Sequence, residues 1–178
     1  MSDMLLEMRE ITKRFPGVTA NDRISLDLRA GEVHALVGEN GAGKTTLMKI
    51  LYGLNRPDSG SISVRGERIA IRGPRDAIRR GIGMVHQHFM LFQPFSVLEN
   101  IILGEESHTA GVLALAEERR RITALMQENG LVVDLEAKVE ALSVGVQQRV
   151  EILKILFRGA PSLSFDEPTA VLTPQASQ

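Results

Sequence analysis

The sequence contains no cysteine, which excludes disulfide bridges and metal sites built on thiolates and agrees with a reducing compartment such as the cytosol. It has no stretch near the ~18 consecutive apolar residues that a membrane-spanning helix needs, so any role at a membrane has to come through a partner. It has no excess of charge of either sign: 21 Lys and Arg stand against 22 Asp and Glu, a formal net charge of −1. That balance gives no sign of a nucleic-acid surface, and Arg79-Arg80 and Arg119-Arg120-Arg121 read as solvated helix faces. Met1-Ser2-Asp3 carries neither a basic n-region nor an apolar h-region, so no secretory signal is expected. Aromatic residues are scarce, with six phenylalanines in all. What remains is a chain of 178 residues, one domain by length, with enough apolar content for a packed core.

What is present centres on Val33 to Leu54. Val33, Ala35, Leu36 and Val37 form a short apolar run, expected as a strand. Gly38-Glu39-Asn40-Gly41-Ala42-Gly43-Lys44-Thr45 follows, and then Leu47, Ile50, Leu51 and Leu54 fall on one face of a helix. Strand, glycine loop and helix are the setting in which G-x-x-x-x-G-K-[ST] marks a phosphate site. Glycines let successive amides between residues 38 and 46, those of Asn40, Ala42 and Thr46 included, turn inward as an anion nest. The helix start adds its positive end and Lys44 a full charge, while Thr45 offers a hydroxyl to Mg²⁺. A glycine-rich turn before a helix is the competing reading.

Along the rest of the chain, Met4 to Ile11 reads as a first strand and Thr12 to Gly17 as a loop. Phe15 there is either a core plug or an aromatic platform for a base. Ile24, Leu26 and Leu28 alternate with polar residues as a half-exposed antiparallel strand. Asn55 to Gly60 is a turn by composition, Ser61 to Val64 a strand, and Pro74 to Arg80 a basic helix stopped by Gly81. Gly83-Met84-Val85 is expected as a strand leading to His86-Gln87-His88. Gln87 could offer a carbonyl oxygen to Mg²⁺ or to an attacking water. The two histidines read as surface or interface packing, and His34 as a hydrogen-bonded core residue. Phe89 to Phe95 is either core or a docking surface for another subunit. Ser96 to Leu103 and Glu117 to Gln127 read as helices, the second closed by Asn129-Gly130. Ser143 is a candidate N-cap of a helix whose apolar face is Val146, Val150, Leu153 and Phe157, widened by Ile152 and Leu156. Gln147, Gln148, Arg149 and Glu151 are placed off that face. Leu163-Ser164-Phe165 is a short strand ending in Asp166 and Glu167. Adjacent acids at the exit of a buried strand are costly unless a cation or water uses them. Asp166 would hold Mg²⁺ through its water shell and Glu167 would deprotonate the attacking water.

Taken in order, these segments resemble the nucleotide-binding subunit of ATP-binding-cassette transporters. Phe15 matches the A-loop aromatic, Gly38 to Thr45 the Walker A motif, and Gln87 the Q-loop. Leu142 to Arg149 matches the signature segment, and Asp166-Glu167 ends the Walker B strand. The resemblance implies an α/β fold: a P-loop NTPase core with an N-terminal antiparallel β subdomain and a helical subdomain, at roughly 88–158, carrying the signature motif. It implies an ATPase that binds ATP and Mg²⁺, with Lys44, Gln87 and Glu167 catalytic. Such a protein pairs head to tail with a second nucleotide-binding domain, so that Ser143 and Gly145 close over ATP held by the other subunit. The partners implied are a transmembrane permease, docked near Gln87 and Phe89 to Phe95, and indirectly a solute-binding protein. That places the chain at the cytoplasmic face of the cell membrane, with no nucleic acid involved.

Within that family, His86 to Leu91, Leu142 to Gly145 and Asp166 to Gln175 look most like importers of nucleosides and simple sugars, nucleoside being the first expectation. There are departures. Val144 and Val146 replace a glycine and the glutamine of the common signature, which is expected to weaken that half-site. Thr173 stands where many members have the D-loop aspartate, and Ser164 puts a hydroxyl into an otherwise apolar Walker B strand. The chain ends at Gln178, before the family's switch histidine and the strand leading to it. The expectation is therefore an incomplete cassette over 1–178, its C-terminal strands missing, that binds ATP but turns it over poorly. The alternatives are a soluble cassette ATPase and a non-hydrolysing nucleotide-binding module.

Overall fold

In the computed structural model, residues 4–85, 89–105, 108–109, 112–113, 115–160 and 162–165 are described. They fall into two units, divided between Ile82 and Gly83, and each is taken by itself.

The first unit is built on an antiparallel sheet of β1 (Met4–Phe15), β2 (Val18–Arg29), β3 (Ser59–Val64) and β4 (Glu67–Ile69), in the order β2-β1-β3-β4. This bears out the expected N-terminal antiparallel subdomain. β1 is longer than its sequence suggests. It runs through Thr12 and Lys13 to Phe15, because a bulge between Met8 and Ile11 resets the alternation. Leu6, Met8 and Ile11 are all buried, with a step of two followed by a step of three. One extra residue on a strand restores a core-facing register that a regular pleat would lose. Glu10, in that bulge, has φ 49° and its amide donates to Ser25 Oγ at 3.0 Å.

α1 (Lys44–Leu51) buries Leu47, Met48, Ile50 and Leu51. It stops a turn earlier than the apolar spacing implies. Gly53 is left-handed at φ 80°, and Leu54, beyond it, is largely exposed. The expected strand at Val33 to Val37 is not formed. Residues 32–39 have no secondary structure, no described strand pairs with them, and Val33 and Val37 are 97% and 93% exposed. An apolar run can suit a sheet interior, yet a ladder needs a neighbour to receive its amides and carbonyls. His34 shares this exposure, with Nδ1 3.6 Å from Glu32 Oε1, so it is not a core histidine. α2 (Pro74–Arg79) begins with proline in its first turn, and Gly81 follows it with φ 84°, as expected.

The second unit contains β5 (Ile82–Val85), which straddles the division, α3 (Val97–Ile102), the small hairpin β6 (His108–Thr109) and β7 (Val112–Leu113), α4 (Leu115–Asn129), α5 (Val144–Phe157) and β8 (Ser162–Phe165). β5 pairs with β8. The helices share one core: Val97, Leu98, Ile101 and Ile102 of α3, Ile122 of α4, and Val150, Leu153 and Phe157 of α5, with Val133, Leu135 and Val139 from the connecting segment. Burying each of those larger side chains contributes about 1.5–3 kcal/mol, which is what fixes where α5 starts and how it is rotated. α3 opens with a full capping box, Ser96 and Glu99 exchanging side-chain-to-backbone bonds. Arg121 is more than a solvated charge, since its guanidinium lies 4.5 Å from the centre of the buried Phe157 ring. Arg119 pairs with Glu136.

Candidate functional site

The phosphate-loop sequence folds as a tight turn feeding α1. Gly41 and Gly43 have φ 84° and 87°, a region that L-residues with a Cβ rarely enter. The Ala42 amide donates to Glu39 O at 3.2 Å, and the first helical bond runs from Leu47 N to Gly43 O at 2.9 Å. Lys44 folds back over the loop, its ammonium donating to Gly38 O at 2.7 Å and to Glu39 O at 2.9 Å. No acid lies in the first turn of α1, so its positive end is uncompensated within that turn. The result is an exposed loop with a lysine resting on its rim, held among the described residues by backbone carbonyls. An anion with better acceptors could take over those ammonium bonds. These are the features that suit polyphosphate. Asn40, Thr45 and Thr46 sit on the same loop and first turn.

β2 is the wall behind this loop. A Cβ placed on Gly43 would lie 2.1 Å from Ala20 O and 2.8 Å from Asn21 Nδ2, and Asn21 Nδ2 donates to Gly43 O at 3.2 Å. The hairpin that carries Phe15 is thereby fastened to the loop, since Phe15 faces Val18 across the β1–β2 turn. Phe15 is the last residue of β1 and is 40% exposed, so it is not a core plug. The Lys13 ammonium lies 5.5 Å from its ring centre. Asp58 holds this end of the sheet: it accepts from the Arg14 amide at 2.6 Å and from Lys13 Nζ at 3.0 Å. The Arg14 amide first, then Lys13, keeps its carboxyl below the ordinary range. Sequence reading passed over both Asn21 and Asp58. A polar residue among strand positions and an acid in a Pro-Asp-Ser-Gly turn were the available signals.

In the second unit, Ser143 occupies the N-cap position of α5 with φ −62° and ψ 156°, yet its hydroxyl makes no capping bond. Gln147 Nε2 instead secures the turn by donating to Leu142 O at 3.0 Å. Ser143 is exposed, and outside its own helical turn no described residue lies within 4 Å of where a Gly145 Cβ would be. Val144 is exposed too, whereas Val146 packs against the helical core. The two unusual valines of the signature thus differ: one lies on the presented surface and the other supports it from beneath. Ser143 and Gly145 come together on the surface at the start of α5.

Between β5 and α3, Met90, Phe92 and Phe95 are exposed, with Phe92 and Phe95 stacked at 5.5 Å, while Leu91 turns to the core. The segment is therefore partly core and partly surface. It is held from below by residues that periodicity did not single out. Asn100, fully buried, receives the Phe92 amide at 2.7 Å and donates to Phe92 O and Ser96 O at 3.0 Å. Lys154 of α5, also buried, donates to Met90 O at 2.7 Å. Burial pulls the Lys154 ammonium below its ordinary value, against Glu151, with Arg158 adding to the fall. Glu151 is itself buried, contrary to its expected place on the polar side of α5. Its partner is Lys154 at 3.6 Å. Gln87, Asp166 and Glu167 lie outside the described residues.

The family described as ABC transporter matches residues 21–170. The guanosine import ATP-binding protein NupO of Bacillus subtilis is 53% identical over 172 residues, covering 97% of this chain and 34% of that protein. The nucleoside import ATP-binding protein NupA of Lactococcus lactis is 52% identical over 97% of this chain and 34% of its own length. The glucose import ATP-binding protein TsgD13 of Haloferax volcanii is 48% identical over 95% of this chain and 36% of its length. This chain thus spans about a third of the length of the curated relatives it matches. Among solved structures, cbiO1 from Clostridium perfringens, part of the ABC transporter complex cbiONQ, superposes with a TM-score of 0.80 at 29% identity, over 98% of this chain and 69% of that one. A nucleotide-free ATP-binding cassette from an ABC transporter gives a TM-score of 0.83 at 25% identity, covering 98% of this chain and 73% of that one.

Proposed function

The chain belongs to the ABC transporter family, and from that premise we propose that it binds ATP with Mg²⁺ and that the protein it represents hydrolyses ATP to drive import of a small solute through a membrane permease. Nucleoside is the first choice of solute and simple sugar the second, on the strength of relatives described as guanosine and nucleoside import proteins. The observation that carries the reading is the phosphate loop itself, with two left-handed glycines, a helix start and Lys44 bonded to the loop carbonyls of Gly38 and Glu39.

The amides of Gly38 to Thr46 and the Lys44 ammonium would bind the phosphates, and Phe15 would stack on the base. Thr45, Gln87 and Asp166 would hold Mg²⁺, which when bound supplies positive charge to the phosphate oxygens. Glu167 would take the proton of the attacking water. Ser143 and Gly145, presented on the surface at the start of α5, would close over nucleotide held by a second cassette, in a head-to-tail dimer or a tandem chain. The second unit would serve as the helical subdomain, offering Met90, Phe92 and Phe95 to the permease at the cytoplasmic face of the membrane. No helix among the described residues is long and apolar enough to cross a membrane.

Two variants test this. Lys44→Ala should weaken ATP binding at least about tenfold, since charge-assisted bonds to phosphate contribute roughly 1.5–3 kcal/mol each. Glu167→Gln should lose turnover while keeping ATP binding and nucleotide-dependent dimerisation. Unchanged turnover in Glu167→Gln would remove that residue from the chemistry.

A further inference from the structure

Asn21 is a poor core residue. It is only 5% exposed, and half of its amide is unpaired: Nδ2 donates to Gly43 O at 3.2 Å, whereas Oδ1 has no donor among the described residues. Turning the amide over would set two acceptors against each other, so the donor half must face the loop. A buried, half-satisfied carboxamide costs stability relative to an apolar side chain of the same size. Nor does Gly43 O need Asn21 to be satisfied, because it already accepts from Leu47 N at 2.9 Å. What the second donor adds is direction. The Gly43 carbonyl and the Lys44 N–H lie on one rigid peptide plane and point opposite ways, and no cis bond intervenes. Pinning the carbonyl toward β2 therefore fixes the Lys44 amide away from β2. β2 also lies close against the Gly43 Cα, a Cβ there falling 2.1 Å from Ala20 O, so the carbonyl is held beside a near wall.

We propose that Asn21 is a positioning residue for the phosphate site: by holding the Gly43 carbonyl it aims the Lys44 backbone amide at the nucleotide's phosphates. This rests on the nucleotide-binding reading, and the test separates the two. ATP affinity, thermal midpoint without nucleotide, and the ³¹P spectrum of bound ATP are measured on the full chain for wild type, Asn21→Leu, Asn21→Asp and Lys44→Ala. In Asn21→Leu, ATP affinity should fall about three- to tenfold, the worth of one such hydrogen bond. The midpoint should not fall, and a phosphate resonance of bound ATP should move. Asn21→Asp keeps the size but sets a carboxylate against the carbonyl, and should lose more affinity than Asn21→Leu. Wild-type affinity in both Asn21 variants, or a loss in Asn21→Leu that only follows a lower midpoint with the ³¹P spectrum unmoved, would overturn the proposal. If Lys44→Ala also binds ATP as wild type does, the phosphate-site reading fails with it. If only Lys44→Ala is impaired, that reading stands and Asn21 is packing.

Discussion

Gly43 has no space for a methyl group and no tolerance for one. Its φ of 87° and the Ala20 carbonyl at 2.1 Å from a would-be Cβ act together on a single residue. Gly43→Ala should cost at least about 1–3 kcal/mol through backbone conformation alone. The clash would also push the loop off β2, so ATP binding should fall with it. A lowered urea midpoint together with lost ATP binding is the expected pair of measurements. Gly41 is different. It is also left-handed, but apart from its chain neighbours no described residue lies within 4 Å of its Cβ position, so Gly41→Ala should carry strain without the clash and be the milder change. At this scale the sequence pointed to the glycines and Lys44 of the loop and was silent about Ala20 and Asn21, whose place beside Gly43 comes only from the fold.

Elements here are set by their ends as much as by their faces. α3 has six residues, Val97–Ile102, too short to persist on propensity alone. Its capping box and core packing hold it. The Ser96 amide is the main cause keeping the Glu99 carboxyl below its ordinary value, with Ser96 Oγ and Lys138 adding to it. A depressed folded value means that the contribution is complete above the ordinary carboxylate pKa and is lost as pH falls through the lower, folded one. Comparing wild type with Glu99→Gln by thermal melts should show a gap that narrows on acidification, because the glutamine does not titrate. The same region shows why α5 was partly misread. Glu151 and Lys154 interrupt its apolar side and are buried as a pair, with Lys154 reaching the Met90 carbonyl. A charged residue within an apolar stripe was the available sign, and a pattern count treats it as noise.

For the whole protein, the exposed Met90, Phe92 and Phe95 surface is where coupling to a permease is proposed. Phe92→Ser with Met90→Ser should leave ATP affinity as it is, because neither side chain belongs to the phosphate loop. Solute uptake in cells carrying the variant should fall about tenfold or more if these side chains anchor the interface. Uptake at the wild-type level would place the permease elsewhere. The sequence by itself determined the glycine turn into α1, the antiparallel strands and the existence of the helices at Ser96 and Ser143, because each is marked by local chemistry: glycine's backbone freedom, strand alternation and helical periodicity. Only the tertiary structure decided that Val33 to Val37 has no ladder among the described residues, that β1 bulges to bury Ile11, and that Glu151 and Lys154 lie inside. It also decided that Asn21 faces Gly43. Those outcomes depend on which neighbour stands beside a residue, and a neighbour distant along the chain leaves no trace in local periodicity.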